Sequence, residues 1–153
     1  MSLSSDVIKI LEGKTISVAE SLTGGGIGAA LTGVPGSSAV FAGGVISYTN
    51  EVKQGILGVP EEWIKKYGAV SPWVAMEMAS GVRGLLHTDV AVAVTGLAGP
   101  GGDDHGHPVG TVYIAYEDKQ RNGVHHYLFA GDRDAVRSQT VEAALKLIIL
   151  YNS

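Results

Sequence analysis

The sequence predicts a three-layer α/β/α sandwich: one α/β domain over residues 1–153, built on a mixed, mostly parallel five-stranded sheet. Three observations lead to this. Helix-like and strand-like segments alternate along most of the chain. Residues 89–95 read Asp-Val-Ala-Val-Ala-Val-Thr, a continuously apolar run typical of a strand covered on both faces. Two strand-like segments, 111–117 and 124–129, are joined by Asp118-Lys119-Gln120-Arg121-Asn122-Gly123, a hairpin signal that adds antiparallel pairing.

Each element follows from local chemistry. Ser4 is expected to cap a first helix whose apolar face carries Val7, Ile8 and Leu11, with Gly13 as its stop. Thr15 to Ala19 reads as a strand. Glu20-Ser21 and a glycine turn then lead into a small-residue helix ending near Leu31. Gly33 to Ser38 is a loop by its punctuation, and Val40 to Tyr48 a second strand weakened by Gly43-Gly44. Asn50 to Leu57 is a short helix, and another begins near Pro60 with Glu61 and Glu62 favourable in its first turn. Ser71-Pro72 starts a longer helix to about His87, with Val74, Met78, Val82 and Leu85 as its apolar stripe. Gly81 and Gly84 lower helix propensity and point to close packing against another backbone. After the strand at 89–95 comes a glycine-rich loop, residues 96–110. The hairpin follows, and then a last helix capped by Asp132, whose apolar face includes Val136, Ala144, Leu147 and Ile148.

Composition narrows the function. Glycine is 22 of 153 residues and clusters at turns, which suits backbone approach to a ligand. The net charge is −4 and no Lys/Arg stripe is present, so the footprint of a nucleic-acid binder is missing. Zero cysteines exclude disulfides and thiol chemistry. No leader-like segment and no apolar run of ~18 residues occurs, so a cytoplasmic, small-molecule-handling protein away from membranes is expected.

Ligands of open α/β sheets gather at the carboxyl ends of strands. Three loops leave such ends: 20–26, 48–53 and 96–102. Ser21 in the first has three open readings: a helix cap, part of a phosphate cradle, or a nucleophile beside backbone N–H groups. Lys53 in the second is a base only if desolvation or a neighbouring cation lowers its pKa; otherwise it is a solvated lysine. Tyr48 is equally a core-edge tyrosine. In the third, Asp103, Asp104, His105 and His107 invite a metal reading. Two histidines at i, i+2 in a loop lack ligand geometry, and His125 and His126 point to opposite faces of a strand. These read as solvated loop residues. Arg133 opens the last helix where the dipole disfavours a cation, so it faces either an anion or the Asp132/Asp134 pair.

Taken together, Ala19-Glu20-Ser21-Leu22-Thr23-Gly24-Gly25, Pro35-Gly36-Ser37-Ser38, Tyr48-Thr49-Asn50-Glu51-Val52-Lys53 and Gly68-Ala69-Val70-Ser71 form one pattern. It continues through Thr95-Gly96-Leu97-Ala98-Gly99-Pro100-Gly101-Gly102, Pro108-Val109-Gly110-Thr111-Val112 and Gly131-Asp132-Arg133-Asp134. In this pattern the chain resembles the C-terminal domain of the competence-damage protein family CinA, which includes stand-alone nicotinamide-nucleotide amidases of the PncC type. The resemblance implies a three-layer sandwich. It also implies hydrolysis of nicotinamide mononucleotide to nicotinate mononucleotide and ammonia, in pyridine nucleotide salvage, by a serine–lysine pair without metal or cofactor. Carried onto this chain, Ser21, Lys53 and Tyr48 are the expected catalytic residues. Thr23, Gly24, Gly25, Asn50, Thr95, Gly96, Ala98, Gly99 and Arg133 are the expected substrate-binding residues. The alternative is a non-catalytic nucleotide-binding or regulatory module. Leu22 stands where members commonly have Cys, which predicts local repacking. The N-terminal domain of two-domain members has no counterpart here, so its pyrophosphatase-type activity is not expected. The expected partner is the small-molecule substrate, and the apolar helix faces permit a homodimer.

Overall fold

A computed structural model describes residues 2–153. Strands β1 (Ile16–Glu20), β2 (Phe41–Ile46), β3 (Val90–Gly96), β4 (Thr111–Asp118) and β5 (Asn122–Leu128) form one sheet in the order β2-β1-β3-β4-β5. β1 is parallel to both β2 and β3, while β4 is antiparallel to β3 and to β5. Four strands therefore share one direction, and β4 alone runs against them.

The helices are α1 (Leu3–Ile10), α2 (Gly26–Thr32), α3 (Asn50–Gly55), α4 (Glu61–Tyr67), α5 (Pro72–Leu86) and α6 (Arg133–Tyr151), with a 3-10 turn at Ser37–Ala39. The Val-Ala alternation of β3 separates the two covering layers. Val90, Val92 and Val94 join the core shared with α1, α2 and α6. Ala91 and Ala93 join the core under α5, together with Ala19 and Ala115 from the neighbouring strands. Large side chains on one face fill the space beneath three helices. Alanines on the other let the single helix α5 lie close across the sheet, which it touches from β2 to β5.

The structure corrects several local expectations. Ser2, not Ser4, caps α1, accepting from the Ser5 amide at 3.1 Å. β2 stops at Ile46, and its alternate residues are exposed because it is an edge strand. β5 starts at Asn122 rather than Val124. The stripe of α5 ends on Leu86, which packs against the core, and Leu85 is half exposed. Residues 74, 78, 82 and 86 are each one turn apart, so Leu86 continues the row that Leu85 leaves.

The two glycines of α5 differ. A Cβ on Gly81 would overlap the Leu57 carbonyl, so only glycine lets the chain before α4 cross the helix there, whereas a Cβ on Gly84 would meet nothing within 4 Å. Gly81→Ala should therefore lower unfolding stability by about 2 kcal/mol or more. Gly84→Ala should raise it by about 0.5–1 kcal/mol through helix propensity. Urea unfolding of the two variants checks this, and equal signs would refute it.

Candidate active site

The parallel register brings three strand ends to one edge. Glu20 of β1 pairs with Ile46 of β2 and with Val94 of β3. Both ladders continue one step beyond the strands. The Ser21 amide donates to Val94 O at 3.2 Å, and the Ser47 amide donates to Glu20 O at 2.8 Å. Ser21 is thereby fixed between the loops that leave β2 and β3.

Lys53 reaches this point from α3. Thr49 caps the helix through the Val52 amide at 3.3 Å. One turn later Lys53 points inward and is 2% exposed. Its Nζ donates to Ser21 Oγ at 3.2 Å and to Ser47 O at 2.7 Å. No carboxylate pairs with it among the described residues. Burial without a counter-charge lowers its pKa from 10.5 to about 8. A serine hydroxyl thus contacts an amine that gives up its proton far more readily than an ordinary lysine.

Glu20 immediately precedes Ser21 yet faces the other way. Its carboxylate accepts from Thr23 Oγ1 at 2.6 Å, from the Ile27 amide at 2.9 Å and from the Gly28 amide at 3.0 Å. It caps α2, whose own N-cap, Gly25, has no side chain to do so.

A cavity of about 760 Å³ opens at this end of the sheet. Its wall includes Ser21, Leu22, Tyr48, Asn50, Lys53, Lys65, Arg133 and residues 95–105. Among the expected residues, Ser21, Lys53, Tyr48, Asn50, Thr95, Gly96, Ala98, Gly99 and Arg133 meet there. Thr23, Gly24 and Gly25 do not line it. Thr23 is buried on Glu20, the Gly24 amide donates to Ser21 O at 3.2 Å, and Gly25 abuts the Ile46 side chain. With the Ile27 and Gly28 amides already on a carboxylate, the start of α2 has no place for a phosphate. Thr95 uses its hydroxyl on Ala69 O at 2.8 Å, tying β3 to the loop before α5. Leu22 is 4% exposed and packs into the core below the cavity.

Arg133 reaches the cavity rim and donates to Gly99 O at 2.7 Å and to Tyr48 Oη at 3.2 Å. It does not pair with its acidic neighbours. Asp132 caps the Ala135 amide at 2.9 Å, and Asp134 lies 4.0 Å from Arg137. Of the two readings of Arg133, the intrahelical ion pair is excluded, and the guanidinium keeps an uncompensated charge. The 103–107 segment closes on itself. Asp103 accepts from the His105 and His107 amides, and its Oδ2 lies 2.6 Å from His107 Nδ1. Burial alone would raise the Asp103 pKa, but these hydrogen bonds hold it below the usual value. His125 bonds Tyr151 Oη at 2.9 Å while His126 stacks on Tyr113. Among the described residues no three His, Asp or Glu side chains converge as metal ligands would.

Ser47, Glu20, Lys65 and Arg137 escaped the sequence reading. Glu20 alone carried a signal, an acidic residue closing an apolar strand before a helix that lacks a side-chain cap.

A family model of the CinA C-terminal domain matches residues 2–151. The chain is 59% identical over 116 residues to a CinA-like protein of Parasynechococcus marenigrum, an alignment covering 74% of this chain and 28% of that protein. It is 49% identical over 137 residues to a putative competence-damage inducible protein of Acetivibrio thermocellus, covering 90% of this chain and 33% of that one. The chain thus spans about a third of the length of these curated relatives. A CinA superfamily protein from Klebsiella pneumoniae superposes with a TM-score of 0.95 at 33% identity, covering 98% of this chain and 95% of the other. A competence/damage inducible protein from Agrobacterium tumefaciens gives 0.92 at 40% identity, covering 99% and 94%.

The buried lysine predicts a pH-dependent stability difference. The unfolded chain holds the Lys53 proton up to about pH 10.5 and the folded chain only to about 8, so this group adds stability as pH rises through that window. Lys53→Met should remove that rise. It should also stabilise the fold at pH 7 by about 0.5–2.5 kcal/mol, the relief of desolvation less the cost of leaving Ser47 O unpaired. Urea unfolding of both proteins from pH 7 to 10 reads the difference; a less stable variant at pH 7 would contradict it.

Proposed function

The chain belongs to the CinA C-terminal domain family, and on that premise we propose that it is an amidohydrolase that converts nicotinamide mononucleotide to nicotinate mononucleotide and ammonia. The observation that supports this most directly is the buried Lys53 Nζ held 3.2 Å from Ser21 Oγ, with no acid to keep it charged. A protein that only bound a nucleotide would have no use for an amine kept out of water on a serine. The cavity has room for a mononucleotide, and Arg133, Lys65 and His105 on its wall suit a phosphate. Lys65 already pairs with Glu61 at 3.0 Å on an exposed surface, so Arg133 is the stronger phosphate candidate.

In the reaction, Ser21 Oγ attacks the carboxamide carbon and gives its proton to neutral Lys53. The carbonyl oxygen becomes an oxyanion, held by backbone N–H groups beside Ser21. Collapse breaks the C–N bond, and Lys53 returns the proton to the leaving nitrogen, which departs as ammonia. Water then attacks the ester on Ser21 and yields its proton to Lys53. The C–O bond breaks, the proton returns to Ser21, and nicotinate mononucleotide leaves. Ser47 O orients the amine throughout. Tyr48 acts at the rim, where its hydroxyl holds Arg133.

Ammonia release from nicotinamide mononucleotide should fall by about 10³-fold or more in Ser21→Ala. Near-wild-type turnover would sink the mechanism, and tight binding without turnover by the wild type would favour the non-catalytic module. The wild-type rate should climb with pH to a plateau above about 8, as Lys53 loses its proton. Arg133→Ala should raise the Michaelis constant about tenfold or more, with a smaller effect on kcat; an unchanged Michaelis constant would remove the phosphate role.

A further inference from the structure

Arg137 lies one helical turn beyond Arg133 and off the cavity wall. From α6 its Nε donates to Leu22 O at 2.9 Å and its Nη2 to Thr23 O at 3.4 Å. These are the two residues directly after Ser21, more than a hundred positions away in sequence. A charged guanidinium is used here on neutral backbone carbonyls, and its one acidic neighbour, Asp134, stands 4.0 Å off and is almost fully exposed. Gly24 leaves room for it, since a Cβ there would lie 3.4 Å from Arg137 Nη2.

The consequence is read from peptide planarity. In a trans peptide the N–H points opposite to the C=O that shares its plane. Ser21 O is held by the Gly24 amide at 3.2 Å, which fixes the direction of the Leu22 N–H. Leu22 O is held by Arg137, which fixes the Thr23 N–H and turns it away from α6. Thr23 O is held by the Gly26 amide at 3.0 Å as well as by Arg137. Among the described residues neither the Leu22 nor the Thr23 N–H finds an acceptor in the chain, although Leu22 is 4% and Thr23 2% exposed. Buried amides left without a partner beside a nucleophile are donors held for a charge that develops during reaction.

We propose that Arg137 is a positioning residue: by gripping Leu22 O and Thr23 O it holds the turn that presents the Leu22 N–H at the cavity wall as an oxyanion donor for attack by Ser21, with the Thr23 N–H fixed behind it. This rests on the acyl-transfer reading above but not on the identity of the amide. The test therefore uses a substrate-independent probe beside the substrate. Diisopropyl fluorophosphate reacts with an activated serine. The Ser21 Oγ–P bond forms, fluoride leaves, and the Oγ proton passes to Lys53, while negative charge builds on the phosphoryl oxygen.

Labelling of Ser21, followed by intact mass, should be slowed about tenfold or more in Arg137→Ala. With nicotinamide mononucleotide the same variant should lose kcat by a similar factor at a nearly constant Michaelis constant. The pH profile should keep its rise near 8, because Lys53 is untouched. Arg137→Lys should recover only part of the loss, since an ammonium cannot span two carbonyls as a guanidinium fork does; it also provides the comparison if the alanine variant unfolds. Equal labelling rates in wild type and the folded variants, no labelling of the wild type, or a raised Michaelis constant with unchanged kcat would each overturn the proposal. Arg137-dependent labelling with no ammonia release by the wild type would leave the positioning role standing and remove the nicotinamide mononucleotide reading alone.

Discussion

An amine buried without a counter-charge is the constraint on which the site depends. Lys53 is sealed from water and has two oxygen partners, neither of them charged. A carboxylate in contact would restore its proton and its ordinary pKa, and the amine could no longer act as the proposed base. The nearest carboxylate in sequence to Ser21 is Glu20, its immediate neighbour. Strand alternation sends that side chain to the α2 side of the sheet, where Thr23 and two helix amides occupy both of its oxygens. One pleat of β1 thus separates an acid that organises the turn from the serine that must stay clear of it. The separation is as much a part of the chemistry as the contact between Ser21 and Lys53.

The loops that meet at the sheet's end are joined through the first turns of α6. Arg133 bridges the β2 loop, through Tyr48 Oη, to the β3 loop, through Gly99 O. Arg137 holds the β1 loop through two carbonyls. Loops carry high entropy unless fixed, and a cavity of about 760 Å³ is bounded largely by loops. Two long side chains four residues apart on one helix face tie all three at points the sheet itself does not reach.

How much of this was legible in the sequence varies with the range of the interaction. The sheet was, because the Val-Ala run of β3 and the hairpin are local patterns with few alternatives. The meeting of Ser21 with Lys53 was expected only through the family resemblance, since their local residues leave a helix cap and a solvated lysine equally open. Residues whose role is set across the chain were not legible. Arg137 reads as an ordinary helix-surface arginine until α6 is seen beside the Ser21 turn. Glu20 reads as part of the turn that follows a strand until α2 is found to need a cap. Thr23-Gly24-Gly25 reads as a ready anion cradle, and only the structure shows the Thr23 hydroxyl spent on Glu20, the Gly24 amide on Ser21 O, and the Ile27 and Gly28 amides behind them on the Glu20 carboxylate. The same holds for 103–107, where the metal-like set of side chains is a turn stapled by Asp103 onto His107.

The charge at the start of α6 is the last point where local and global demands meet. A cation in the first turn works against the helix dipole, by about 0.3–1 kcal/mol at an exposed site. Asp132 answers the dipole as the cap, so the helix itself gains nothing from Arg133. The guanidinium instead spends two donors on neutral groups of the cavity rim and keeps its full charge facing the space above Ser21 and Lys53. A substrate anion at that rim would be attracted before any contact with the dyad, and its binding would hold the amide over the serine. Arg133 would then serve the phosphate end of one substrate, while burial alone lowers the pKa of the amine at the carboxamide end.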